Sequence, residues 1–273
     1  MKKALTIAGS DCSGGAGIQA DLKTFAAHGV YGMSVIVSVV AENTFRVIDI
    51  HDLPPTMIGK QMDAVFEDIG VDAVKVGMLS QSGCMEMVAA KLKEYAPPHI
   101  VVDPVMIAKN GAPLMNPAAM ATLLQRILPL ATVLTPNIPE AEKMTGMSIT
   151  SVADMEQAAR HIHSWGIENV LVKGGHMAGE ARDVLYDGTQ FYHFSAERVA
   201  TKNTHGTGCT FSSAIAANLA RGWELPEAVK RAKDYVTTAI RHSLAIGKGC
   251  GPTHHFYELY QFGLFKGEKA DEL

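Results

Sequence analysis

Short apolar runs that alternate with helical patterns constrain the fold of this chain more than any other feature. Most of the runs end near glycine, proline or aspartate, and they cover residues 4–9, 33–41, 73–78, 100–104, 132–137 and 169–175. Strands that are apolar almost throughout are typical of sheets buried on both faces. A strand followed by a helix, repeated along the chain, predicts an α/β fold with a mostly parallel central sheet and helices on both faces.

The segments between these runs have the periodicity of helices. One apolar stripe begins at Ile18 and is closed by Gly29, and further helical patterns cover residues 57–68, 117–128, 154–165, 208–220 and 226–243. Two short apolar runs flank Asp187-Gly188, a dipeptide typical of hairpin turns. Because no repeat or low-complexity linker divides the chain, residues 1–273 are expected to form one domain with a flexible tail from about residue 264.

Composition excludes several classes of function. The chain has 24 basic and 28 acidic residues and no long basic run, so neither a nucleic acid nor an anionic membrane surface is an expected partner. The first apolar run is too short for a secretory signal, and no apolar stretch approaches the roughly 20 residues of a membrane span. Four scattered cysteines without a CxxC pair predict a reduced, cytoplasmic protein.

The segment GAGIQA at residues 15–20 matches the GxGxxA dinucleotide fingerprint. It follows a predicted strand and precedes a predicted helix, so a nicotinamide-dependent oxidoreductase is one hypothesis. Because the strand ends near Gly9, the first motif glycine comes several residues late for a tight strand-to-helix turn. A glycine turn without any function is the alternative.

The segment HGTGCT at residues 205–210 is the stronger motif. Backbone N–H groups of Gly206, Thr207, Gly208 and Cys209 can converge on an anion at the positive end of the helix that follows. The same field favours the thiolate of Cys209, which could then accept a proton from a substrate hydroxyl. A small buried residue at the start of a helix is the alternative, whereas a phosphatase nucleophile would need histidine at 208 and arginine at 215.

Polar residues at other strand ends complete the candidate site. Asp103, Asn137 and Glu140 offer the oxygen ligands that Mg²⁺ prefers, although aspartate and asparagine are also ordinary turn and cap residues. Lys173 could neutralise polyphosphate charge, or could simply lie where a strand turns. The clustered histidines lack the spacing of a zinc site.

Together these motifs resemble the hydroxymethylpyrimidine/phosphomethylpyrimidine kinases, the thiamine-biosynthesis branch of the ribokinase superfamily. The resemblance covers nearly the whole chain; it includes VVDPVMIAKNG, LTPNIPEAE, VLVKGGH and NTHGTGCTFSSA, in order, and extends to GPTHHF. It implies a ribokinase-like domain, usually a homodimer, that uses ATP and Mg²⁺. It also implies two successive phosphorylations, first of 4-amino-5-hydroxymethyl-2-methylpyrimidine and then of its monophosphate.

The resemblance also assigns roles to residues. It implies substrate contacts for Gly9 and Asp21, with Met78 and Val105 as walls. Asn137 and Glu140 match an NxxE element that organises Mg²⁺ and phosphates, and Asp103 is a further candidate for the metal's water shell. Lys173 and Gly175 match the ATP side, Cys209 matches the base position of this branch, and residues 107–113 correspond to a mobile flap.

One residue departs from the family pattern. The usual AQNT is here AENT, which places Glu42 where glutamine would offer both a donor and an acceptor to the aminopyrimidine edge. Glu42 could carry a proton, or pair with a protonated ring. The departure leaves vitamin B6 kinase activity on the same scaffold as an alternative, and a protein that only binds its ligands is the remaining one.

Overall fold

The computed structural model describes residues 1–107, 111, 113–175, 177 and 179–264. The strands of this part of the chain are β1 (Lys3–Ala8), β2 (Tyr31–Ile36), β3 (Ser38–Glu42), β4 (Val47–Asp52), β5 (Ala73–Val76), β6 (Ile100–Val102), β7 (Val133–Leu134), β8 (Val170–Val172), β9 (Ala181–Tyr186) and β10 (Phe191–Ala196). Eight of them form one sheet in the order β10-β9-β8-β7-β6-β5-β1-β2. Neighbours from β2 to β8 are parallel, and β9 pairs antiparallel with both β8 and β10. The predicted mostly parallel sheet and the hairpin at Asp187-Gly188 are confirmed.

Helices cover both faces of this sheet. The α-helices are α1 (Gly17–Ala27), α2 (Pro55–Asp68), α3 (Ser82–Tyr95), α4 (Met120–Thr122), α5 (Ile138–Thr145), α6 (Val152–His163), α7 (Thr207–Ala220), α8 (Leu225–Arg241) and α9 (Tyr257–Leu259). Helices α1, α7 and α8 share one buried apolar cluster with the sheet, and α2, α3, α5 and α6 share the other. The α/β architecture with helices on both faces is therefore confirmed.

The predicted single strand at residues 33–41 is wrong. The chain leaves the large sheet after Ile36, and β3 pairs antiparallel with β4 in a separate two-stranded sheet. In β3, Ser38 and Val40 are buried while Val39 and Ala41 are exposed, so this strand has only one covered face. Because residues 33–41 are apolar almost throughout, nothing in the sequence indicated that the chain passes from one sheet to the other. Strand β4 was not predicted.

Two further helical regions differ from the prediction. The segment 117–128 is not one helix but short turns of different pitch: Pro117–Ala119, α4, Leu123–Ile127 and Leu128–Leu130. Pro117 and Pro129 lie within this irregular stretch, and proline interrupts the hydrogen bonding of a regular helix. Helices α3 and α5 were not predicted at all.

The sheet order positions a ligand site. Strand β1 lies between β2 and β5, and the order reverses there, so the loops after these strands diverge to opposite faces. Among the described residues, no helix is long and apolar enough to cross a membrane. That residues 1–273 form one domain remains a prediction, and the predicted flexible tail lies almost wholly outside the described residues.

Candidate active site

A cavity of about 550 Å³ lies beyond the carboxyl ends of β1, β5, β6, β7 and β8. Nearly all residues singled out from the sequence line it, although up to 200 positions separate them. They are Gly9, Glu42, Met78, Asp103, Val105, Asn137, Glu140, Lys173, Gly175, Gly206, Thr207, Gly208 and Cys209. Parallel strands bring these scattered positions together because all their carboxyl ends meet at one edge.

The predicted anion cradle lies at the start of α7. Gly206 is the N-cap with φ +77°, no side chain caps the helix, and residues 206–209 line the cavity. The N–H of Thr207 donates to the carbonyl oxygen of Thr204 at 3.3 Å, so the N–H groups of Gly208 and Cys209 are the candidate anion donors. A Cβ at Gly206 would lie 1.8 Å from the carbonyl oxygen of Gly15, so only glycine fits this position. The conformation and the close approach together explain the glycine that the motif contains.

Close packing of backbone against backbone also explains the glycines of GAGIQA. Gly17 has φ +55°, and a Cβ there would lie 2.5 Å from the carbonyl oxygen of Gly9. Residues 15–17 therefore pack, backbone on backbone, between the end of β1 and the cradle. This close packing accounts for the GxGxxA match without a bound pyrophosphate.

The expectation that Cys209 is readily ionised is wrong for this structure. Burial and the carboxylates of Asp21 and Asp103 raise the pKa of its thiol to about 11, although Lys75 opposes them. The helix start that suggested a thiolate is thus outweighed by burial and by negative neighbours. The pKa of the Cys209 thiol therefore lies well above neutral pH.

Asp21 lies beneath the cavity, not on its wall. It is fully buried, and Lys75 Nζ lies 2.9 and 3.0 Å from its two carboxylate oxygens. The hydroxyls of Thr6 and Ser213 donate to it at 2.6 and 2.7 Å. Since these groups occupy its oxygens, Asp21 supports the site from below and does not offer them to a ligand. A lysine within the apolar run AVKV was the sequence signal for this pair, and the sequence analysis missed it.

A second lysine–aspartate pair opens onto the cavity. Lys173 Nζ lies 2.7 Å from Asp103 Oδ1. Gly208 is close to both side chains: a Cβ on Gly208 would lie 3.4 Å from Asp103 Oδ2 and 3.6 Å from Lys173 Nζ. Burial would lower the pKa of Lys173, but Asp103 and Glu140 outweigh it, so the lysine is held charged. Burial and the charge of Asp103 raise the pKa of Glu140 to about 7, although Lys173 opposes them.

Asn137 and Glu140 are also the capping box that starts α5. The Asn137 side chain accepts from the Glu140 N–H at 2.9 Å, and Glu140 Oε2 accepts from the Asn137 N–H at 2.8 Å. The sequence NIPE is thus sufficient to start a helix and at the same time directs a carboxylate at the cavity.

Glu42 lies at another part of the cavity, beside a third charged pair. His205 Nε2 lies 2.8 Å from Asp11 Oδ2, and ligand atoms of Asp11, His205 and Glu42 lie within 4.8 Å of one another. Gly9, Val40 and Met78 adjoin each other in the wall here, since a Cβ on Gly9 would contact both side chains. Sequence reasoning found Glu42 but not Asp11 or His205.

The cavity extends into an apolar lobe that the sequence did not indicate. Phe211, Val236 and Ile240 line it, next to a buried ion pair in which Lys233 Nζ lies 2.6 Å from Asp183 Oδ2. Arg198 donates hydrogen bonds to the carbonyl oxygens of Gly175, Met177 and Gly179 and thereby fixes that loop. No motif distinguishes these residues in the sequence.

The predicted flap is described only in part. Ile107 pairs with Pro113 as an isolated bridge, and Ile107 and Leu114 line the cavity. Residues 108–110 and 112, the middle of the predicted flap, lie outside the described residues.

Comparison with known proteins gives a consistent result. A family model described as phosphomethylpyrimidine kinase matches residues 11–254. A hydroxymethylpyrimidine/phosphomethylpyrimidine kinase from Haemophilus influenzae is 48% identical, over 94% of this chain and 97% of that protein. The thiamine biosynthesis bifunctional protein ThiED from Geobacter sulfurreducens is 53% identical over 92% of this chain, and this chain spans 51% of its length.

Two solved structures are similar over most of their length. The ADP complex of Bacillus subtilis pyridoxal kinase has a TM-score of 0.88 and 42% identity, with 94% of this chain and 98% of that chain covered. The Clostridium difficile phosphomethylpyrimidine kinase has a TM-score of 0.79 and 48% identity, with 88% of this chain and 100% of that chain covered. These relatives are kinases of the ribokinase-like fold, which leaves the oxidoreductase and binding-only hypotheses without support.

Proposed function

The chain belongs to the phosphomethylpyrimidine kinase family, and we propose that it phosphorylates 4-amino-5-hydroxymethyl-2-methylpyrimidine and then its monophosphate, with ATP as the donor. The product is the pyrimidine diphosphate used in thiamine biosynthesis. The observation that carries this proposal is the cradle at the start of α7, which shares one cavity with Lys173, Asp103 and Cys209. Phosphoryl transfer needs anion stabilisation, charge neutralisation and positioning, and these groups supply them.

The roles follow from the positions. The N–H groups of Gly208 and Cys209 stabilise negative charge on the transferred phosphoryl group, and Lys173 neutralises charge on the phosphates of ATP. The hydroxymethyl group of the substrate lies toward Cys209, between the walls formed by Gly9, Val40 and Met78. The apolar lobe lined by Phe211, Val236 and Ile240 accepts the adenine ring.

The carboxylates of Asp103 and Glu140 fit a magnesium ion. Mg²⁺ takes oxygen ligands and keeps several waters, so two carboxylates beside the phosphates suffice. Burial, and to a smaller extent the charge of Asp103, raises the pKa of Glu140, and a cation beside both carboxylates would favour its ionised form. When bound, the ion would neutralise phosphate charge, and these two residues would hold it through its water shell.

Cys209 is proposed as the group that receives the hydroxyl proton, or as a residue that shapes the cradle. Its raised pKa makes the thiolate scarce before substrate binds. A base role therefore requires the thiolate population to grow with pH, which gives the role a signature that a purely structural role lacks.

The first test is a mass-spectrometric time course with MgATP, with the hydroxymethylpyrimidine in one reaction and pyridoxal in the other. We expect the pyrimidine monophosphate first and the diphosphate later. Pyridoxal phosphate alone would instead establish vitamin B6 kinase activity. That second candidate rests on the 42% identity to Bacillus subtilis pyridoxal kinase.

We also propose that the protein is a cytoplasmic homodimer. Its four cysteines are free, as expected in a reducing compartment. Val39, Phe45 and Ile48 on the β3–β4 sheet are about half exposed or more, and a second copy would cover them. Light scattering coupled to gel filtration tests the dimer, and a monomer at micromolar concentration would contradict it.

A further inference from the structure

Glu42 lines the cavity, and among the described residues its carboxylate has no hydrogen-bond partner. Its backbone is fixed by Cys12, whose thiol lies 3.0 Å from the Glu42 carbonyl oxygen and 3.4 Å from its N–H nitrogen. Across the described residues, no hydrogen bond or ion pair reaches the carboxylate, which is half-buried and lines the cavity. A half-buried carboxylate without a protein partner lacks the hydrogen bonds that usually accompany burial, so a ligand donor is the natural complement.

The neighbouring Asp11 is a fixed negative charge. Its Oδ2 accepts from the N–H groups of Gly15 and Ala16 at 3.0 and 2.7 Å and from His205 Nε2 at 2.8 Å, and its Oδ1 accepts from Ser13 N–H at 2.7 Å. Burial would raise the pKa of Asp11, but the bonds from His205, Ser13 and Ala16 hold it at about 2. Asp11 is thus ionised and fully engaged, which leaves Glu42 as the group that can change its protonation.

Two charged groups face Glu42. Burial and the ionised Asp11 raise the pKa of Glu42 to about 7, although His205 opposes them. Near neutral pH the carboxyl group therefore exists in both its protonated and its ionised form. A ligand that either brings a proton or accepts one can form a hydrogen bond with it.

We propose that Glu42 recognises the amidine edge of the aminopyrimidine, its exocyclic amine and adjacent ring nitrogen, through a pair of hydrogen bonds that holds one shared proton. This inference rests on the proposed function and specifies its substrate class. Both positions of the proton give two hydrogen bonds: a carboxylate with a protonated ring, or a carboxylic acid with a neutral ring. The 3-hydroxypyridine aldehyde of pyridoxal presents oxygen acceptors instead, so a carboxylate at this position disfavours it.

The sign of the pH dependence follows. Above pH 7 the free Glu42 is ionised and the free ring is neutral, so binding must take up one proton. The dissociation constant should then rise about tenfold for each pH unit above 7. Just below pH 7 the proton is already on Glu42, so uptake and pH dependence both disappear.

The test uses 4-amino-2,5-dimethylpyrimidine, which lacks the hydroxyl group and cannot be phosphorylated. Titration calorimetry at pH 6.5 and 8.5, in buffers with different ionisation enthalpies, measures proton uptake on binding. We expect close to one proton at pH 8.5 for the unchanged protein and none for Glu42→Gln. Glu86→Gln, an exposed position on α3, is the matched control and should retain the uptake.

Kinetics add a second measurement. Glu42→Gln should raise the ratio of kcat/KM for pyridoxal to kcat/KM for the pyrimidine about tenfold or more, because its amide can donate to an oxygen acceptor. Equal proton uptake by the unchanged protein and Glu42→Gln would overturn the inference even if the pyrimidine is phosphorylated. Uptake at Glu42 without any phosphorylation of the pyrimidine would instead contradict the proposed function alone.

Discussion

Two lysine–aspartate pairs lie close to Cys209, and they differ in what surrounds them. Lys75 and Asp21 are fully buried, and Thr6 and Ser213 satisfy the remaining acceptor capacity of the aspartate. Lys173 and Asp103 lie at the cavity wall, where the lysine side chain keeps 12% of its exposure. Both pairs act on the pKa of Cys209: Lys75 of the first pair lowers it, and Asp21 of the first and Asp103 of the second raise it.

The difference shows which charges a ligand can use. A pair whose partners are all protein groups fixes the structure around it, and removing one member leaves an uncompensated charge. A pair at a cavity wall can exchange one partner for a phosphate or a cation. We therefore assign Lys75–Asp21 to stability and Lys173–Asp103 to turnover, and the same substitution at each lysine separates the two roles.

The largest expected effect is on stability, for Lys75→Met. Asp21 would be left buried without its counter-ion, which costs about 3–5 kcal/mol of unfolding free energy. Urea denaturation followed by circular dichroism measures it. Lys75→Met combined with Asp21→Leu should recover most of the loss, because no isolated charge remains. A double variant no more stable than the single one would show that the pair itself is not the cause.

The next effect is on activity, for Lys173→Met. Loss of a charge that faces the phosphates should lower kcat/KM about 10²–10³-fold. The loss of stability should be smaller than for Lys75→Met, because Asp103 faces the cavity and keeps the hydroxyl of Ser212 at 3.3 Å. Steady-state kinetics and urea denaturation on the same preparations compare the two lysines. Equal stability losses with unchanged kinetics would remove the distinction.

Charges of both pairs act on the Cys209 thiol, and a variant of this residue tests its proposed role in turnover. We expect Cys209→Ala to lower turnover about 10²-fold or more while ATP binding survives. Since burial raises the pKa of the thiol in the free protein to about 11, a base role predicts that kcat/KM of the unchanged protein rises with pH from 7 to 9. Cys209→Ala should lack this rise. Wild-type turnover in the variant would contradict the base role, and a flat profile would leave only the shaping of the cradle.

The contrast between the pairs also shows what the sequence could reveal. Alternating apolar runs and helical patterns were sufficient to predict the mostly parallel sheet. Asp103 and Lys173 at the carboxyl ends of its strands, together with the glycine motif at Gly206, were sufficient to locate the cavity. Burial in three dimensions could not be inferred, so the resemblance implied a substrate contact for Asp21, and the helix start indicated a thiolate at Cys209. Residues such as Asp11 and Arg198 act through contacts over long sequence separation, which no local pattern encodes.

The smallest expected effect concerns the N-cap residues of α5 and α6, whose side chains both accept a hydrogen bond from the first turn of the helix. Asn137 caps α5 at the cavity and Ser151 caps α6 away from it, each within a capping box. Alanine at either position should cost about 1 kcal/mol of unfolding free energy. Only Asn137→Ala should also raise KM for MgATP, since the Asn137 side chain holds the backbone N–H of Glu140 and so fixes the first turn of α5, and with it Glu140, at the cavity. If Ser151→Ala raised KM equally, the kinetic effect would come from helix stability and not from the position of Glu140.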